Sequence, residues 1–151
     1  MSVRVLAGAV AALTLVATPV AEAQPPPDDD IRRYPIAQGR YTTPHDFYWV
    51  YFATADGRFC GIGPNGGPVG CDAVPPEAPP GADQTVVNPW GPAKYRRSGT
   101  PTFTRDVDLL PEGFRLENWG ATCAVEPHYV VHCETYAGHG FRLSPDSGEL
   151  W

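Results

Sequence analysis

The sequence predicts an all-β fold, a small sandwich or a partly closed barrel built from two disulfide-clipped hairpin meanders. Three observations support this prediction. The chain of 151 residues contains 18 prolines and 16 glycines, and its aromatic and β-branched segments are short and separated by turn residues. No segment after residue 23 has the periodicity of an amphipathic helix. Four cysteines form two pairs that are close in sequence, and each pair flanks a plausible turn.

The first 23 residues are typical of a signal peptide. Arg4 precedes an apolar run from Val5 to Val16, and Ala21 and Ala23 provide the small side chains that a signal peptidase reads. The run is too short to span a membrane, which takes about 20 residues. We therefore expect cleavage near Ala23 and a secreted protein, extracellular or in the cell envelope, without a membrane span.

The charge limits the classes of partner. The net charge is −6, and Lys94 is the single lysine. Such a chain is a poor partner for nucleic acid or for an anionic membrane. Four cysteines in an exported protein favour two structural disulfides.

The mature chain is interpreted as a leader followed by one domain. Residues 24–45 form an extended leader rich in proline and aspartate, and residues 46–151 form a single β domain. Within this domain, residues 73–101 are rich in proline and glycine and are expected to be a long irregular segment. Only Gln84 to Val87 resembles a strand there.

The run from Asp46 to Thr54 is the strongest strand signal in the chain, because it is aromatic and β-branched on both faces. Asp56 and Gly57 follow, a dipeptide that suits a tight type I′ turn. Residues 58–62 then return as the second strand. The sequence therefore predicts a hairpin at the start of the domain.

The spacing of the first two cysteines predicts a disulfide within the next hairpin. Pairing Cys60 with Cys71 places Ile62 opposite Val69 on antiparallel strands. Side chains directly opposite one another on such strands approach the separation that a disulfide needs. Residues 63–68 then form the turn.

The second pair of cysteines repeats this arrangement. Pairing Cys123 with Cys133 places Val125 opposite Val131, and in both hairpins an apolar residue and then a proline follow the first cysteine. We interpret the two hairpins as an internal structural repeat.

The remaining segments are predicted as a meander. Residues 103–110 are predicted as a strand, residues 111–113 as a turn and residues 114–116 as a short strand. Turns and two further short strands complete the domain between residues 137 and 151.

Three short motifs carry a family resemblance. They are a hairpin of the F-x-T-P-S-G-N-I type before Cys60, an L-P-x-G segment at residues 110–113 and the sequence G-H-G-F at residues 138–141. The first motif keeps its phenylalanine, threonine and glycine within residues 52–57, but has alanine and aspartate in place of proline and serine. With these motifs the chain resembles a group of small, exported, uncharacterised actinobacterial proteins with two clipped hairpins. The resemblance implies export and the two-disulfide layout, and it implies no activity.

A glycine motif in the first clipped hairpin resembles the motif of dinucleotide-binding loops. Gly61, Gly63 and Gly66 match G-x-G-x-x-G, but a dinucleotide site needs a helix directly after the loop, and no helical pattern follows. We interpret the glycines as part of a hairpin turn and expect no cofactor.

No metal site is expected. The cysteine spacing differs from that of zinc knuckles and of redox C-x-x-C motifs. His132, Glu134 and His139 could bind a metal only if the hairpin were bent, so these side chains are interpreted as solvated polar residues.

No catalytic residues are assigned. Asp106 and Asp108 project from one face of the predicted strand at residues 103–110, which is typical of a solvated face. A carboxylate-dependent hydrolase that uses either aspartate with a histidine is an alternative interpretation.

Four residues are candidates for binding. Trp90, Trp119 and Trp151 fall in predicted turns or at the terminus, and His139 lies between two glycines. Tryptophans at such positions stack on sugar rings or anchor protein partners, or they cap the ends of a small β core.

The function expected from the sequence is a non-enzymatic binding or structural domain of the cell envelope or the extracellular space. Its expected partner is an envelope glycan or an extracellular protein. The alternative is an inhibitor of an extracellular enzyme that acts through a clipped hairpin loop, either residues 63–68 or residues 126–130. Rigid loops suit this role because they lose little conformational freedom on binding.

Overall fold

The computed structural model describes residues 30–151, which form two five-stranded antiparallel sheets packed face to face. The predicted signal peptide, its cleavage site near Ala23 and the first part of the leader lie outside the described residues. The prediction of an all-β fold is confirmed, and the architecture is a sandwich rather than a closed barrel. Within the described part of the chain, no helix has the length and apolar character needed to cross a membrane.

Each sheet is a meander in which the strands pair in chain order. The first sheet contains β1 (Val50–Ala53), β2 (Phe59–Ile62), β3 (Val69–Cys71), β4 (Gln84–Asn88) and β5 (Gly91–Arg96). The second contains β6 (Phe114–Asn118), β7 (Ala121–Glu126), β8 (Val130–Glu134), β9 (Gly140–Leu143) and β10 (Gly148–Leu150). Two short 3₁₀ helices lie at Ile31–Arg33 and Pro127–Tyr129.

The first clipped hairpin is confirmed. In the pairing of β2 with β3, Cys60 lies opposite Cys71 and Ile62 lies opposite Val69. The two cysteines form a disulfide. The predicted hairpin of β1 and β2 is also present, but the predicted type I′ turn is wrong. Residues 54–58 join the two strands, and Gly57 has a φ of 90° whereas Asp56 has no positive φ.

The second clipped hairpin is confirmed as well. In the pairing of β7 with β8, Cys123 lies opposite Cys133, and the two form a disulfide. In both sheets the disulfide joins the second and third strands of a five-stranded meander, so the structural repeat extends to whole sheets. Equivalent strands contact one another across the sandwich, β1 with β6, β2 with β7, β4 with β9 and β5 with β10.

The main core lies between the two sheets, and both disulfides are at its centre. All four cysteines are fully buried. The larger apolar side chains around them are Phe52, Ile62, Val69, Val87, Leu110, Leu116, Val125, Val131, Phe141 and Leu143.

The end of the predicted leader packs against the domain. Ile31 is buried against β7. Ala37 N donates to the Arg115 carbonyl in β6 at 2.9 Å, and the Tyr41 carbonyl accepts from Tyr51 N in β1 at 2.8 Å. This segment therefore runs along the sandwich edge from β6 to β1, and its buried apolar residues make it part of the domain.

The segment at residues 73–101 is less irregular than predicted. The predicted strand at Gln84 to Val87 lies in β4, but β5 follows it after a two-residue turn. Glycine, proline and lysine make the sequence of β5 a poor strand former. Because β5 is at the edge of its sheet, it tolerates Pro92, and its pairing with β4 stabilises it.

The prediction of a strand at residues 103–110 is wrong. Leu109 forms one isolated bridge with Ala53, and the start of the segment packs on the outer face of the first sheet. Phe103 is fully buried against that face. The conformation of the segment therefore follows the packing of its aromatic ring rather than strand pairing.

Two glycines on the outer face of the first sheet make room for this ring. A Cβ atom on Gly70 would lie 3.0 Å from Phe103 Cζ, and a Cβ atom on Gly61 would lie 3.2 Å from Phe103 Cδ1. Gly66 has a φ of 68° in the β2–β3 turn. The interpretation of the G-x-G-x-x-G match as part of a hairpin is confirmed, and its first glycine also serves packing.

Asp46 ties the segment that carries Phe103 to the start of β1. Its carboxylate accepts from Arg105 Nε at 2.8 Å and from Thr43 Oγ1 at 2.6 Å. These hydrogen bonds, the one from Arg105 first, lower the pKa of Asp46 from 3.8 to about 2. Because the pKa is lower in the folded state, the resulting stabilisation is present above about pH 4 and is lost as the pH falls through 2.

Replacing Asp46 by asparagine is expected to lower the free energy of unfolding at pH 7 by about 1 kcal/mol, since a partly exposed ion pair is removed. Thermal unfolding between pH 7 and pH 2 measures the effect. The wild type should lose more stability below pH 4 than Asp46→Asn does. The fully exposed Asp106 provides the control Asp106→Asn, and parallel pH curves for wild type and Asp46→Asn would contradict the assignment.

Candidate binding surface at one end of the sandwich

The antiparallel strand order places alternate connections at opposite ends of the sandwich. Asn118 shows how the sheets align, because its Nδ2 at the end of β6 donates to the carbonyl oxygen of Ile62 at the end of β2, at 2.9 Å. One end, which we name the aromatic end, therefore contains six segments. They are residues 47–49, 63–68, 89–90, 119–120 and 135–139, and Trp151.

The aromatic end exposes a group of large aromatic side chains. The exposed fractions are 76% for Phe47, 71% for Tyr48, 73% for Trp90, 48% for Trp119 and 66% for Tyr136. Single exposed apolar residues are normal on a protein surface, but a group of them marks a site of interaction. Elsewhere in residues 30–151, the exposed large apolar residues lie on the edge or at the opposite end, and they are Ile36, Leu109, Phe114 and Tyr129.

The two ends also differ in charge. The six segments of the aromatic end contain no aspartate, glutamate, lysine or arginine. The connections at the opposite end are rich in acids, which are Asp56, Asp72, Glu77, Asp83, Glu112 and Asp146. These connections also contain Arg58 and Arg97, so charged side chains of both signs, with an excess of acids, lie away from the aromatic end.

Tyr48 and Trp119 form the centre of the aromatic end. Their rings meet edge to face, with centroids 6.1 Å apart and an interplanar angle of 87°. Phe47 extends the group, with its ring centroid 6.5 Å from that of Tyr48. Asn118 connects the segment before β1 with the β6–β7 turn, because its Nδ2 also donates to the Tyr48 carbonyl at 2.7 Å.

Trp90 and Tyr136 each lie against a glycine of a neighbouring turn. A Cβ atom on Gly66 would lie 2.7 Å from Trp90 Cη2, and a Cβ atom on Gly120 would lie 3.3 Å from Tyr136 Cβ. Any larger side chain at these glycines would displace the aromatic residue. The rings of Trp90 and Tyr136 are thus supported by backbone while most of their surface faces solvent.

A polar groove runs beside the aromatic end on the outer face of the second sheet. A depression of about 440 Å³ is lined by Arg32, Glu117 and Trp119 among others. A second depression of about 240 Å³ shares Arg32 with the first and extends to Glu134 and Tyr136. Charged groups therefore flank the uncharged aromatic end on one side.

The four candidate binding residues all lie at the aromatic end, in two different environments. Trp90 and Trp119 are exposed in the β4–β5 and β6–β7 turns. Trp151 is half-buried, with its ring edge-on to His132 at 5.6 Å. His139 is half-buried, and its carbonyl oxygen accepts from Thr135 N and Oγ1 in the β8–β9 turn. Trp90 and Trp119 are the accessible members of the set.

Sequence reasoning missed three aromatic residues of this surface. Phe47 and Tyr48 belong to the run assigned to the first strand, but the strand begins at Val50. Tyr136 lies in the β8–β9 turn. The length of the aromatic run was the signal that could have revealed Phe47 and Tyr48. The run is longer than the four residues of β1, so its first aromatic side chains lie outside the strand.

His132 is buried rather than solvated, so that prediction is wrong. Its Nδ1 lies 2.9 Å from Glu126 Oε1, and its Nε2 lies 3.0 Å from Glu134 Oε1. Both contacts are hydrogen bonds at once when each ring nitrogen carries a proton. Trp151 covers this cluster, which stabilises the outer face of the second sheet.

The ionisation of Glu126 reflects this cluster. Burial raises the pKa of Glu126, but the hydrogen bond from His132 and the charge of Arg142 outweigh burial and hold it below its ordinary value. Among residues 30–151, no three histidine, cysteine, aspartate or glutamate side chains are arranged to hold a metal ion.

Asp106 and Asp108 do not share a strand face, because residues 103–110 are not a strand. Arg40 Nη2 lies 3.6 Å from Asp106 and 3.9 Å from Asp108. Asp108 Oδ2 also accepts from Arg40 N at 2.7 Å. Arg40 Nη1 donates to the backbone carbonyl of Asp106 at 2.7 Å. The Asp108 carboxylate and the Asp106 backbone therefore connect the segment to the N-terminal part of the domain, whereas the Asp106 side chain stays exposed.

Comparison of this chain with models of protein families, with curated proteins and with solved structures finds no match. The functional interpretation therefore depends on the residues and geometry of the chain itself.

Proposed function

We propose that this protein is an exported, non-enzymatic binding domain that docks a protein partner on its aromatic end. The observation that carries the proposal is the concentration of Phe47, Tyr48, Trp90, Trp119 and Tyr136 on one uncharged end of an otherwise acidic domain. Exposing several aromatic rings to water opposes folding and solubility, so such a group is expected where a partner covers it.

The composition of the aromatic end favours a protein partner. Interface centres are depleted in charge and enriched in tyrosine, tryptophan and phenylalanine. The turns here combine these aromatics with asparagine and glycine, as at Asn65-Gly66 and Asn118-Trp119-Gly120. Rigid aromatic anchors beside small, adaptable polar residues are also typical of binding loops on other β-sandwiches.

The orientation of the rings favours a protein over a polysaccharide. Phe47 and Tyr48 are tilted by 51°, and Tyr48 and Trp119 are almost perpendicular. These three rings form an uneven surface rather than a flat stacking platform for a sugar chain. A protein partner with a concave apolar surface fits such a shape.

The scaffold is suited to present this surface. The β2–β3 turn and the β7 and β8 strands are clipped by disulfides, and rigid elements lose little conformational freedom on binding. Two disulfides are typical of an oxidising compartment. The signal-peptide pattern and the resemblance to small exported actinobacterial proteins support export and an extracellular or envelope location.

Site-specific photo-crosslinking tests the proposal. The crosslinking amino acid p-benzoylphenylalanine replaces Trp90 or Tyr136 at the aromatic end, and Ala55 or Asp146 at the opposite end. The four variants are exposed to the envelope and culture-fluid proteins of the source cells. We expect one protein to be crosslinked from both aromatic-end positions and from neither opposite position.

Binding measurements with the purified crosslinked protein then test the side chains. Trp90→Ala is expected to weaken binding about 30-fold, as a tryptophan at an interface centre does. Tyr129→Ala is the matched control, because Tyr129 is an exposed aromatic residue at the opposite end. Crosslinks from the opposite end, no protein crosslink at all, or binding to a polysaccharide panel that depends on Trp90 would each contradict the proposal.

A further inference from the structure

The β6–β7 turn has an unfavourable residue at its first central position. Trp119 and Gly120 are the two residues of this turn, and their φ angles are 50° and 79°. Positive φ at both central positions is the mark of a type I′ hairpin turn, in which asparagine or glycine is favoured first and glycine second. Gly120 follows this rule, but Trp119 does not, because a bulky side chain is strained in the left-handed region.

Tyr48 is strained in the same way. Its φ is 68°, although it is neither a glycine nor an asparagine. Tyr48 and Trp119 contact one another, and their exposed fractions are 71% and 48%, so burial in the core does not account for either of them. Two neighbouring aromatic residues thus share an unfavourable backbone and an exposed position.

We infer that Tyr48 and Trp119 are a preformed anchor pair of the binding surface, and that Trp119 is retained there at the expense of turn stability. This inference rests on the proposed function and identifies the residues that insert into the partner. Backbone strain of this kind persists where surrounding contacts enforce it. It also occurs at His128 and Tyr129 in the β7–β8 turn, so the pair is distinguished by strain together with its ring contact and its link to Asn118.

Asn118 is the positioning residue that enforces the geometry. Its Nδ2 donates to the carbonyl oxygens of Tyr48 and Ile62 at 2.7 and 2.9 Å. One amide group therefore connects the start of β1, the end of β2 and the β6–β7 turn. The pair is held in place before the partner arrives, which reduces the loss of conformational freedom on binding.

The geometry also indicates the chemistry of the partner. The two rings are almost perpendicular, and the aromatic-end segments around them contain no aspartate, glutamate, lysine or arginine. They fit an apolar pocket of a protein, with hydrogen-bond acceptors at its rim for the phenol and indole groups.

Replacing Trp119 by asparagine tests the effect of this residue on turn stability separately from its effect on partner binding. Asparagine suits the type I′ turn, so we expect the melting temperature of Trp119→Asn to rise by about 3 °C. We expect the yield of the crosslink from position 136, measured in the same envelope extract, to fall at least about tenfold. Trp90→Asn is the matched control for stability, because Trp90 also lies in a two-residue turn but has no positive φ. Its melting temperature should not rise.

Each outcome decides the inference. A fall in the melting temperature of Trp119→Asn would show that the indole ring holds the fold, and would overturn the inference even if the aromatic end binds a partner. A higher melting temperature with an unchanged crosslink yield would also overturn it, while leaving the proposed function supported through Trp90 and Tyr136. If neither position 90 nor position 136 crosslinks a protein when the rest of the chain is wild type, the proposed function is contradicted, and so is the assignment of the anchor pair.

Discussion

Replacing Cys60 and Cys71 together by alanine is expected to lower the free energy of unfolding by about 3 kcal/mol. The disulfide closes a loop with a sequence separation of 11 residues, and on the chain-entropy account a clip of this length restricts the unfolded chain by that amount. Replacing Cys123 and Cys133 is expected to have nearly the same effect, since their separation is 10 residues. Urea unfolding followed by circular dichroism measures both.

The two hairpins are matched controls for one another. Both disulfides join the second and third strands of a five-stranded sheet and are buried in the same core. Removing both is expected to lower the free energy of unfolding by about 6 kcal/mol, which is comparable with the whole stability of many domains. A loss below about 1 kcal/mol for each pair would contradict the prediction. It would show that strand pairing and core packing, rather than the disulfides, provide the stability of the domain.

The disulfide hairpins could be predicted from the sequence because their determinants are local. Once Cys60 lies opposite Cys71, the period of two along a strand leaves one register, in which Ile62 faces Val69. The same reasoning gives the register of the second hairpin. A turn that joins two neighbouring strands needs no information from the rest of the chain.

Elements that depend on distant partners could not be predicted in this way. β5 contains Gly91, Pro92 and Lys94, and it becomes a strand because β4 offers it an edge to pair with. Phe103 lies in a segment that looked like a strand, but its ring packs where β2 and β3 carry glycines, more than thirty positions earlier along the chain. Burial on a sheet face formed elsewhere overrides local propensity.

The candidate site also combines features that depend on local sequence with features that depend on distant parts of the chain. Trp90 and Trp119 could be predicted as exposed turn residues, because turn signals surround them. Their convergence with Tyr48 and Tyr136 could not be predicted, since it depends on the order of the strands and on the alignment of the two sheets, to which Asn118 contributes. Single residues were therefore recognisable, whereas the surface they form was not.

Phe103→Ala is expected to lower the free energy of unfolding by about 3–4 kcal/mol, the usual effect of removing a fully buried phenylalanine. The ring fills the space above Gly61 and Gly70, and its centroid lies 6.4 Å from that of Trp49. Without it, the outer face of the first sheet is left with a cavity that the two glycines cannot fill. Chemical denaturation at neutral pH measures the loss.

Two variants show whether the ring itself is responsible. Phe103→Leu keeps most of the apolar volume and is expected to lose only about 1 kcal/mol, while Phe114→Ala removes an exposed phenylalanine and is expected to lose less than about 1 kcal/mol. The backbone N–H of Phe103 donates to Asp72 Oδ2 at 2.7 Å, and both substitutions at position 103 retain this donor. A difference between Ala and Leu at position 103 therefore reports packing of the side chain on the outer face. Equal losses for Phe103→Ala and Phe114→Ala would instead mean that the segment is held by the hydrogen bonds to Asp72, and that packing of the Phe103 ring above Gly61 and Gly70 contributes little.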